Sequence, residues 1–426
     1  MQLKLHWQIL IALVLAVVAG RLSGTDGSVL GVTLYAVYGF IGALFMNALK
    51  MIIVPLIMAS IITGVSGMGG AEGLGRLGGK TLLFYMTTSL FAILTGLMFV
   101  NLLAPGIIDG EPAREVLGLS QQAANEVAAK VADRSITDLS DVFLSMIPPN
   151  VIQAAADGQM LGLIVFSLLF GFFITRIDPD RGALLGGFWQ GVADVMMGIT
   201  DLIMKFAPLG VFGLVAKTVA GVGAEQINDL AVSLGTFTLS VLLALAVHTL
   251  VTLPLMLRFL GGVSPLAHFG AMMPALLTAF STASSSATLP MTMECVQDNA
   301  RVSKRTSSFV LPLGATVNMD GTALYECVAA MFIAQAYGLE LSFVTQFTVV
   351  LVALLTSIGV AGIPAASLVA ITIILATVGL PAEGIGLILA VDRILDMFRT
   401  SVNVFSDSCG AVIIARTEGE KGILER

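Results

Sequence analysis

The most concentrated set of charged side chains within an apolar run lies near the end of the chain. Asp392, Asp396, Arg399, Asn403 and Asp407 are spaced by 4, 3, 4 and 4 residues, so that a helix would carry all five along one face. The planar guanidinium group of Arg399 suits a carboxylate ligand, and Asp396, one turn away, can neutralise Arg399 or hold an ammonium group. This stripe predicts a binding site for a zwitterion, with an internal ion-pair ladder as the alternative.

A second polar group interrupts the apolar run 306–336. The segment 314–322 contains Asn318 and Asp320 between two glycines, and a charge at the centre of a membrane helix costs about 3 kcal/mol. Carboxylate, amide and freed backbone oxygens are ligands for hard cations. The segment therefore predicts a cation site, and an Asp paired with an Arg is the alternative.

Other ionisable groups in the apolar runs are isolated. Glu326 lies one helical turn past Thr322 and has no basic residue near it in sequence, so that a carboxyl group removed from water there can carry a proton. His6, His248 and His268 are scattered along the chain. No metal or catalytic site is predicted on these histidines.

Two segments combine small or hydroxyl-bearing residues with a proline. Segment 281–290 has six hydroxyl side chains in ten residues, next to Pro290, which we expect to end a helix. Segment 357–367 is built from small residues and can bring backbone groups close to a ligand. Hydroxyls bonded to their own helix and an ordinary kinked span are the alternatives for the two segments.

The composition indicates that lipid surrounds these elements. Of the 426 residues, 57% are hydrophobic and 12% charged, whereas soluble domains have about 25% charged residues. With 3 Cys, 3 His and 21 basic residues, the chain is not a disulfide scaffold, a zinc-cluster protein or a nucleic-acid binder. Runs long enough to cross a bilayer lie at 6–23, 34–66, 79–104, 160–176, 183–221 and 226–258.

Basic residues at the ends of these runs predict the orientation. They fall at alternate ends, while the connection 105–141 has seven acidic and three basic residues, so that the N-terminus is expected in the cytoplasm and 105–141 outside. Beyond Arg258 the alternation fails, because 264–298 and 342–378 must each return to their starting side. Opposed re-entrant hairpins, each followed by a spanning helix, are typical of the binding site of a secondary transporter. The predicted inverted repeat is 264–336 against 342–416.

These residues resemble a known family, the dicarboxylate/amino acid:cation symporters, which include archaeal aspartate transporters, bacterial glutamate symporters and mammalian excitatory amino acid transporters. The matching segments occur in the family's order and are Ser284-Ser285-Ser286 with Thr288-Leu289-Pro290, Asn318-Met319-Asp320-Gly321-Thr322, Ala361-Gly362-Ile363-Pro364 and 392–407. The resemblance implies an all-α polytopic membrane protein of the glutamate-transporter-like fold, with eight transmembrane helices and two hairpins. It also implies a homotrimer whose transport domain moves across the membrane like an elevator.

The resemblance divides the chain into scaffold and transport segments. Scaffold segments are 1–78, with trimerisation helices 1 and 2, and 142–221, with helices 4 and 5. Transport segments are 79–104 (helix 3), 222–258 (helix 6), 259–300 (hairpin 1), 301–338 (helix 7), 339–380 (hairpin 2) and 381–416 (helix 8). The extracellular loop is 105–141, and 417–426 is a cytoplasmic tail.

The family pattern also implies roles for single residues. Arg399 would bind the substrate's side-chain carboxylate and Asp396 its amino group. Further substrate contacts would come from Ser284, Ser285, Thr322, Ile363, Thr400 and Asn403. Sodium sites would use Asp407 with Asn403 and the backbone of Gly314 and Asn318; the backbone near Thr316, Ser357 and Ile358; and Asp320 with Asn318, Tyr85, Thr88 and Ser89. Glu326 matches a carboxylate that carries a proton in the mammalian branch.

Three positions depart from the family pattern. Ala283 and Met397 stand where the family often has an arginine, and Arg393, one turn from Met397, is a substitute. Ser367 replaces a glycine typical of sodium-coupled members, as in some bacterial proton/glutamate symporters. Proton coupling, alone or with sodium, is therefore an open alternative.

The function implied is secondary active symport of L-glutamate or L-aspartate with Na⁺, H⁺ or both, in the plasma (inner) membrane and among its lipids. No enzyme activity and no resident cofactor are expected, since the ions are transported. A C4-dicarboxylate symporter is one rival, although Asp396 would then lack an ammonium partner. A hydrolase with Ser285 as nucleophile lacks a base, and for an anion channel the acids of the last helix have the wrong sign.

Overall fold

Long apolar runs form the helices of the first half of the chain. The computed structural model describes residues 5–29, 31–66, 74–113, 144, 146–157, 160–221, 227–339, 341–357, 366–381 and 384–424. The helices of the first half are α1 (Leu5–Ser23), α2 (Leu34–Ser66), α3 (Leu74–Leu103), α4 (Val151–Ala156), α5 (Met160–Ile174), α6 (Pro179–Lys205) and α7 (Ala207–Gly221). Two short antiparallel ladders, β1 (Ser28–Val29) with β2 (Val32–Thr33) and β3 (Ile107–Ile108) with β4 (Glu111–Pro112), are additions to the predicted all-helical chain.

The helices of the second half are more often interrupted. Helix α8 (Ile227–Val247) continues through a π-helical turn (His248–Thr252), α9 (Leu253–Met256) and a second π-helical turn (Leu257–Gly261). The remaining helices are α10 (Pro265–Thr282), α11 (Ser285–Glu294) with a π-helical turn (Cys295–Asn299), α12 (Lys304–Val317), α13 (Asp320–Ala336), α14 (Phe343–Ser357), α15 (Ala366–Val378) and α16 (Ile385–Thr417).

Several helices have the length and composition of membrane spans. Within the described residues, Leu34–Ser66, Arg76–Leu103 and Asn228–Gly261 qualify, and Pro179–Ile203 with Ala207–Gly221 forms a pair bent by 55°. The bend divides the predicted run 183–221, because Pro208 has no N–H and its ring crowds the carbonyl one turn earlier. A mostly helical chain with apolar helices long enough to cross a membrane is confirmed, and the count of eight spans stays a prediction.

Helices α10 and α11 form a helical hairpin. Asn299 donates a hydrogen bond from Nδ2 to the carbonyl oxygen of Ala271 at 2.9 Å, so that the chain returns beside α10. The turn is made by Ala283, whose φ of 48° lies in the left-handed region, and by Ser284, whose Oγ accepts from the N–H of Ala287 at 3.2 Å. This geometry supports the predicted first hairpin, although no membrane position follows from it.

Pro290 does not end a helix, and that prediction was wrong. It lies inside α11, where the change of direction at Ala283 and Ser284 has already taken place. Helix α11 begins at Ser285 and continues past Pro290. The proline only removes the hydrogen bond that its N–H would have donated to the carbonyl group of Ser286.

Helices α14 and α15 lie where the sequence predicts the second hairpin. They pack against each other and against α13. The connection 358–365, with Ile358 and Ile363 of the predicted second tip, lies outside the described residues.

Helices α13 and α16 form the centre of the second half. Residues 320–334 are all buried, which makes α13 a core helix surrounded by α3, α8, α14, α15 and α16. Helix α16 packs against α7, α8, α10, α12 and α13. These two helices therefore position most of the polar groups that the sequence singled out.

The residues after α16 fold back onto earlier elements. Glu418 forms an ion pair with Lys80 on α3. Glu420 accepts hydrogen bonds from the N–H of Ser303 at 2.9 Å and from its Oγ at 2.6 Å. Glu418 and Glu420 thus connect the segment after α16 to the first part of α3 and to the start of α12.

Candidate functional site

The helix expected over 306–336 is broken between α12 and α13. Asn318 has φ −101° and ψ 82°, and Met319 has φ −110° and ψ 54°, so that both residues leave the helical region. Carbonyl groups before the break and N–H groups after it lose their helical partners. This backbone is fully enclosed by protein, as irregular backbone at membrane depth must be.

Asn403 on α16 closes the break on its α13 side. Its Oδ1 accepts from the N–H of Gly321 at 2.8 Å, and its Nδ2 donates to Oγ1 of Thr322 at 3.0 Å. A Cβ at Gly321 would lie 2.6 Å from the carbonyl oxygen of Arg399, so that only glycine allows this approach of the two helices. Asn403 is thus a helix cap for α13, in addition to its predicted roles.

Arg399 lies at the centre of a group of four charges that we call the arginine cluster: Asp392, Arg393, Asp396 and Arg399. Its Nη1 donates to Oδ1 of Asp392 at 3.0 Å, and its Nη2 donates to Oδ1 of Asp396 at 2.9 Å. Arg393 donates from Nη1 to Oδ2 of Asp396 at 3.1 Å. The two arginines and two aspartates balance each other.

The guanidinium group of Arg399 is completely buried, with 0% of the residue exposed. It lies 3.8 Å from the centroid of the Tyr325 ring, a distance at which a cation is attracted to the ring face. The ion pairs of the ladder alternative are therefore present, and the group that would bind a substrate carboxylate is already bonded to carboxylates. A substrate carboxylate would have to replace one of them.

A second group of polar side chains meets at Asp407, further along α16. We call it the aspartate cluster, and its members are Thr88, Ser89, Asn318, Asp320 and Asp407. Oδ1 of Asp320 accepts from Oγ of Ser89 at 2.7 Å and from Oγ1 of Thr88 at 3.3 Å. Asn318 donates from Nδ2 to Oδ1 of Asp407 at 2.9 Å and its own Oδ1 lies 3.3 Å from Oγ1 of Thr88. The five side chains come from α3, the α12–α13 break and α16, as the family pattern implied.

The carboxylates of the aspartate cluster have no Lys or Arg partner in the part of the chain that the structure describes, and the basic group nearest to Asp320 there is His248. Among the described residues, no Lys or Arg forms an ion pair with Asp320 or Asp407. The alternative of an Asp paired with an Arg is therefore wrong for Asp320. Two buried carboxylates with hydroxyl and amide neighbours form a donor set that fits a hard cation.

Gly314 allows this cluster to close. A Cβ at that position would collide with the carboxylate of Asp407 and the hydroxyl group of Tyr85. The Tyr85 hydroxyl donates to the carbonyl oxygen of Val310 at 2.8 Å, which joins α3 to α12. Tyr85 and Gly314 thus lie beside Asp407, where the family pattern assigned both to cation sites.

The hydroxyl-rich tip of the first hairpin faces α16. Phe280, just before the tip, makes an edge contact with Phe398, the neighbour of Arg399, at a centroid distance of 5.1 Å. Ser284 and Ser285 are both buried. Helix α10 is therefore packed against α16 immediately before the tip.

Glu326 is enclosed on α13, with 0% of the residue exposed. Its Oε2 lies 3.1 Å from Oγ1 of Thr356 on α14, and its Oε1 has no hydrogen-bond partner among the described residues. Thr356 Oγ1 also lies 2.8 Å from the carbonyl oxygen of Val352. Because a hydroxyl group has one hydrogen, donation to that carbonyl leaves a lone pair that can accept a hydrogen bond from a protonated Glu326.

The other predicted site residues are less informative. Thr400 is buried on α16, and Ser357 is buried with its Oγ donating to the carbonyl oxygen of Leu354. The side chain of Thr316 is exposed and bonds to its own helix. Ile358 and Ile363 lie outside the described residues, so that the second sodium site and the contact from hairpin 2 stay predictions.

Two polar neighbours of Asp320 were not found by sequence reasoning. His248 lies 3.0 Å from Oδ2 of Asp320 through its Nε2, and Ser406 donates from Oγ to the same oxygen at 2.6 Å. The prediction that no metal or catalytic site is built on the histidines did not include this contact of His248 with Asp320. A single histidine in an otherwise apolar helix was the available signal, but its partner lies 72 residues away in the sequence.

Comparison with known proteins places these features in a family context. The profile of the sodium:dicarboxylate symporter family matches residues 5–417. The chain is 35% identical over 428 residues to the proton/sodium-glutamate symport protein of Geobacillus stearothermophilus, covering 98% of this chain and 96% of that protein. It is 36% identical to excitatory amino acid transporter 3 of Homo sapiens, covering 97% and 86%. It is 34% identical to the proton/glutamate-aspartate symporter of Escherichia coli, covering 97% and 93%.

Proposed function

Because the chain belongs to the sodium:dicarboxylate symporter family, we propose that it is a secondary active symporter for L-glutamate and L-aspartate, coupled to Na⁺, H⁺ or both. The names of its relatives include glutamate and aspartate as substrates and protons or sodium as coupling ions. On this proposal the protein is not an enzyme, and the ions are cargo.

The observation that carries the proposal is the buried arginine cluster. An acidic amino acid has a side-chain carboxylate, which can replace Asp392 or Asp396 on Arg399, and an ammonium group, which can take up the carboxylate that is released. Such an exchange keeps the substrate's side-chain carboxylate, its ammonium group and the four charges of the arginine cluster paired. The substrate's α-carboxylate would need hydrogen-bond donors from outside this cluster. A neutral amino acid has no side-chain carboxylate that could replace an aspartate on Arg399.

The aspartate cluster supports cation coupling. Each Na⁺ bound at Asp320 or Asp407 would remove one buried negative charge from the protein. If the cation also completes the site next to the substrate, each ligand raises the affinity of the other by the same factor. Substrate and cation would then move together.

We also propose the architecture implied by the family resemblance: eight transmembrane helices, two opposed hairpins in inverted repeats, the scaffold and transport segments given above, cytoplasmic termini in a cell membrane, a homotrimer and elevator movement. The α10–α11 hairpin and the broken α12–α13 helix support the hairpin-and-helix unit of this architecture. The enclosed aspartate cluster joins α3, α12 and α16, all assigned to the transport domain.

One observation favours a second candidate, symport of C4-dicarboxylates. Asp396 accepts hydrogen bonds from both Arg393 and Arg399, so that its charge is already well compensated. A substrate without an ammonium group could replace Asp392 on Arg399 and leave the contacts of Asp396 in place.

Uptake into proteoliposomes tests both candidates. Radiolabelled L-glutamate, L-aspartate and succinate are offered under an inward sodium gradient, an inward proton gradient, both gradients or neither. We expect accumulation of the two amino acids, with Arg399→Ala inactive. If only succinate accumulates, the substrates are C4-dicarboxylates and not amino acids. If uptake occurs under a proton gradient but not under a sodium gradient, the protein is a proton-only symporter. If no gradient drives uptake of any of the three, the proposal is wrong.

A further inference from the structure

His248 lies at a local change of helix type. The carbonyl oxygen of His248 accepts from the N–H of Leu253, five residues later, in a π-helical turn. Pro254 explains the widening, because it has no N–H for the carbonyl of Leu250 and its ring crowds that carbonyl. A π-helical turn inserted in a helix is often found at a functional site, and here it carries a completely buried histidine.

The two oxygens of Asp320 have different neighbours. Oδ1 accepts from Thr88 and Ser89, which are among the predicted sodium ligands. Oδ2 accepts from Ser406 and lies 3.0 Å from Nε2 of His248, and neither of these residues is a predicted ligand. One edge of the carboxylate therefore faces the cation ligands, and the opposite edge is anchored to α16 and to the π-helical turn.

The hydrogen-bond inventory fixes the role of the imidazole. An ionised carboxylate only accepts, so Nε2 of His248 must carry the hydrogen in this contact. Nδ1 has no hydrogen-bond partner among the described residues. A neutral ring protonated at Nε2 leaves an unused lone pair at Nδ1, which costs less than a buried N–H without an acceptor.

We infer that His248 is a positioning residue for the Asp320 cation site: its Nε2–H fixes Oδ2 of Asp320 and thereby turns Oδ1 toward a sodium ion held with Thr88, Ser89 and Asn318. This inference deepens the proposed function and rests on its sodium coupling. The residue acts through Asp320 and does not touch the ion. Loss of such an outer partner typically lowers metal affinity by about 10–100-fold.

The test is sodium binding by the purified full-length protein without substrate. The melting temperature is followed as NaCl replaces choline chloride at constant ionic strength, because a ligand bound only by the folded state stabilises it in proportion to ln(1 + [L]/Kd). Wild type is compared with His248→Leu, which removes the donor, and with His248→Gln, whose amide N–H can occupy the position of Nε2. Ser406→Ala removes the other anchor of the same oxygen.

We expect His248→Leu to raise the sodium concentration for half-maximal stabilisation by about 10–100-fold and Ser406→Ala to raise it as well. His248→Gln should retain most of the wild-type affinity. The matched control is His268→Gln at a second fully buried histidine, whose Nε2 lies 2.9 Å from Oγ of Ser408; it should leave the sodium midpoint unchanged.

Three results would overturn the inference. The first is an unchanged sodium midpoint in folded His248→Leu. The second is an equal loss of sodium affinity in His248→Gln and His248→Leu. This result would show that the shape of the imidazole ring, and not its hydrogen bond, determines sodium affinity. If His248→Leu does not fold, the third is a Ser406→Ala midpoint equal to wild type. A wild-type protein that sodium does not stabilise, but that takes up glutamate under a proton gradient, would remove the sodium premise and this inference with it, while symport itself would stand.

Discussion

The arginine cluster and the aspartate cluster share one helix but compensate buried charge in opposite ways. Arg399 and Asp407 are eight residues apart on α16, about 12 Å of helix rise. The arginine cluster contains as many positive as negative charges, whereas the described surroundings of Asp320 and Asp407 provide hydroxyl, amide and imidazole groups. The first cluster is complete without a ligand, and the second gains most from a cation.

This difference predicts an order of events. A cation entering the aspartate cluster replaces no ion pair, but a substrate entering the arginine cluster must displace an aspartate from Arg399. We therefore expect the empty protein to bind sodium more readily than substrate. The following substitutions disturb the comparison, beginning with the largest expected effect.

Arg399→Ala removes the central charge of the arginine cluster. It leaves Asp392 without its arginine partner in a buried site, and breaking a buried pair costs about 3–5 kcal/mol. We expect uptake of acidic substrates to fall by about 100-fold or more, as measured in proteoliposomes. Arg393→Ala is the matched control, because Arg393 is partly exposed and contacts only Asp396 within the described cluster. Wild-type uptake by Arg399→Ala would contradict the assignment.

Asp407→Asn changes the charge of the aspartate cluster without changing its shape. The amide is neutral and can still accept from Asn318, so that the substitution tests charge alone. We expect the sodium concentration for half-maximal uptake to rise by about tenfold or more, because a charged hydrogen-bonding group contributes about 1.5–3 kcal/mol. Asp392→Asn in the other cluster should alter substrate affinity more than sodium affinity. Equal sodium shifts in both variants would show that the clusters are not separate.

Glu326→Gln lies outside both clusters and tests the proton. The amide cannot exchange a proton at Oε2, so we expect stimulation of uptake by an inward proton gradient to disappear while sodium-driven uptake persists. Thr356→Val, which removes the hydroxyl group 3.1 Å from Oε2, should weaken the same stimulation partially. Uptake is measured at a series of external pH values, and an unchanged pH profile in Glu326→Gln would exclude this carboxyl group as the carrier.

Glu420→Gln should have the smallest effect, on stability alone. Partial burial raises the pKa of Glu420, but hydrogen bonds from Ser303 and Thr306 outweigh it, and the pKa lies below the ordinary value of 4.5. A lowered pKa contributes stability above the ordinary value, and this stability is lost as the pH falls through the folded-state pKa. We expect Glu420→Gln to melt slightly below wild type at pH 7, with the difference vanishing in acid. A difference that is constant with pH would contradict this.

The spacing of residues along α16 predicted that Asp392, Asp396, Arg399, Asn403 and Asp407 face protein, and the structure buries all five. The period of the helix places these residues on one side, and the cost of charge in lipid requires that this side face protein. From 402 to 415 the helix is buried on every side, so that the polar stripe forms a distinct buried face only in the part before 402. The break at Asn318 was also foreseeable, since Asp320 and its flanking glycines weaken the helix. By contrast, the sequence could not distinguish an Arg399 that is paired with Asp392 from an Arg399 that is free to bind a substrate.

Contacts between distant segments could not be predicted from residue properties. Thr88 and Ser89 lie in the apolar part of α3, two turns or more beyond Arg76 and Lys80, and only the family resemblance identified them. His248 was missed altogether because its partner Asp320 comes from another helix. The closeness of α13 and α16 at Gly321 depends on the packing of two helices, which a linear pattern does not specify.

The position of α16 after α12 and α13 in the chain has a further consequence during synthesis. Asn403 caps α13, Ser406 bonds to Asp320, and Glu420 binds the start of α12, so that earlier segments depend on partners that are made later. Until translation reaches these residues, N–H groups at the start of α13 lack their cap and Asp320 lacks a hydrogen-bond donor. We therefore expect a premature stop before Asn403 to produce a protein that membrane proteases recognise and remove.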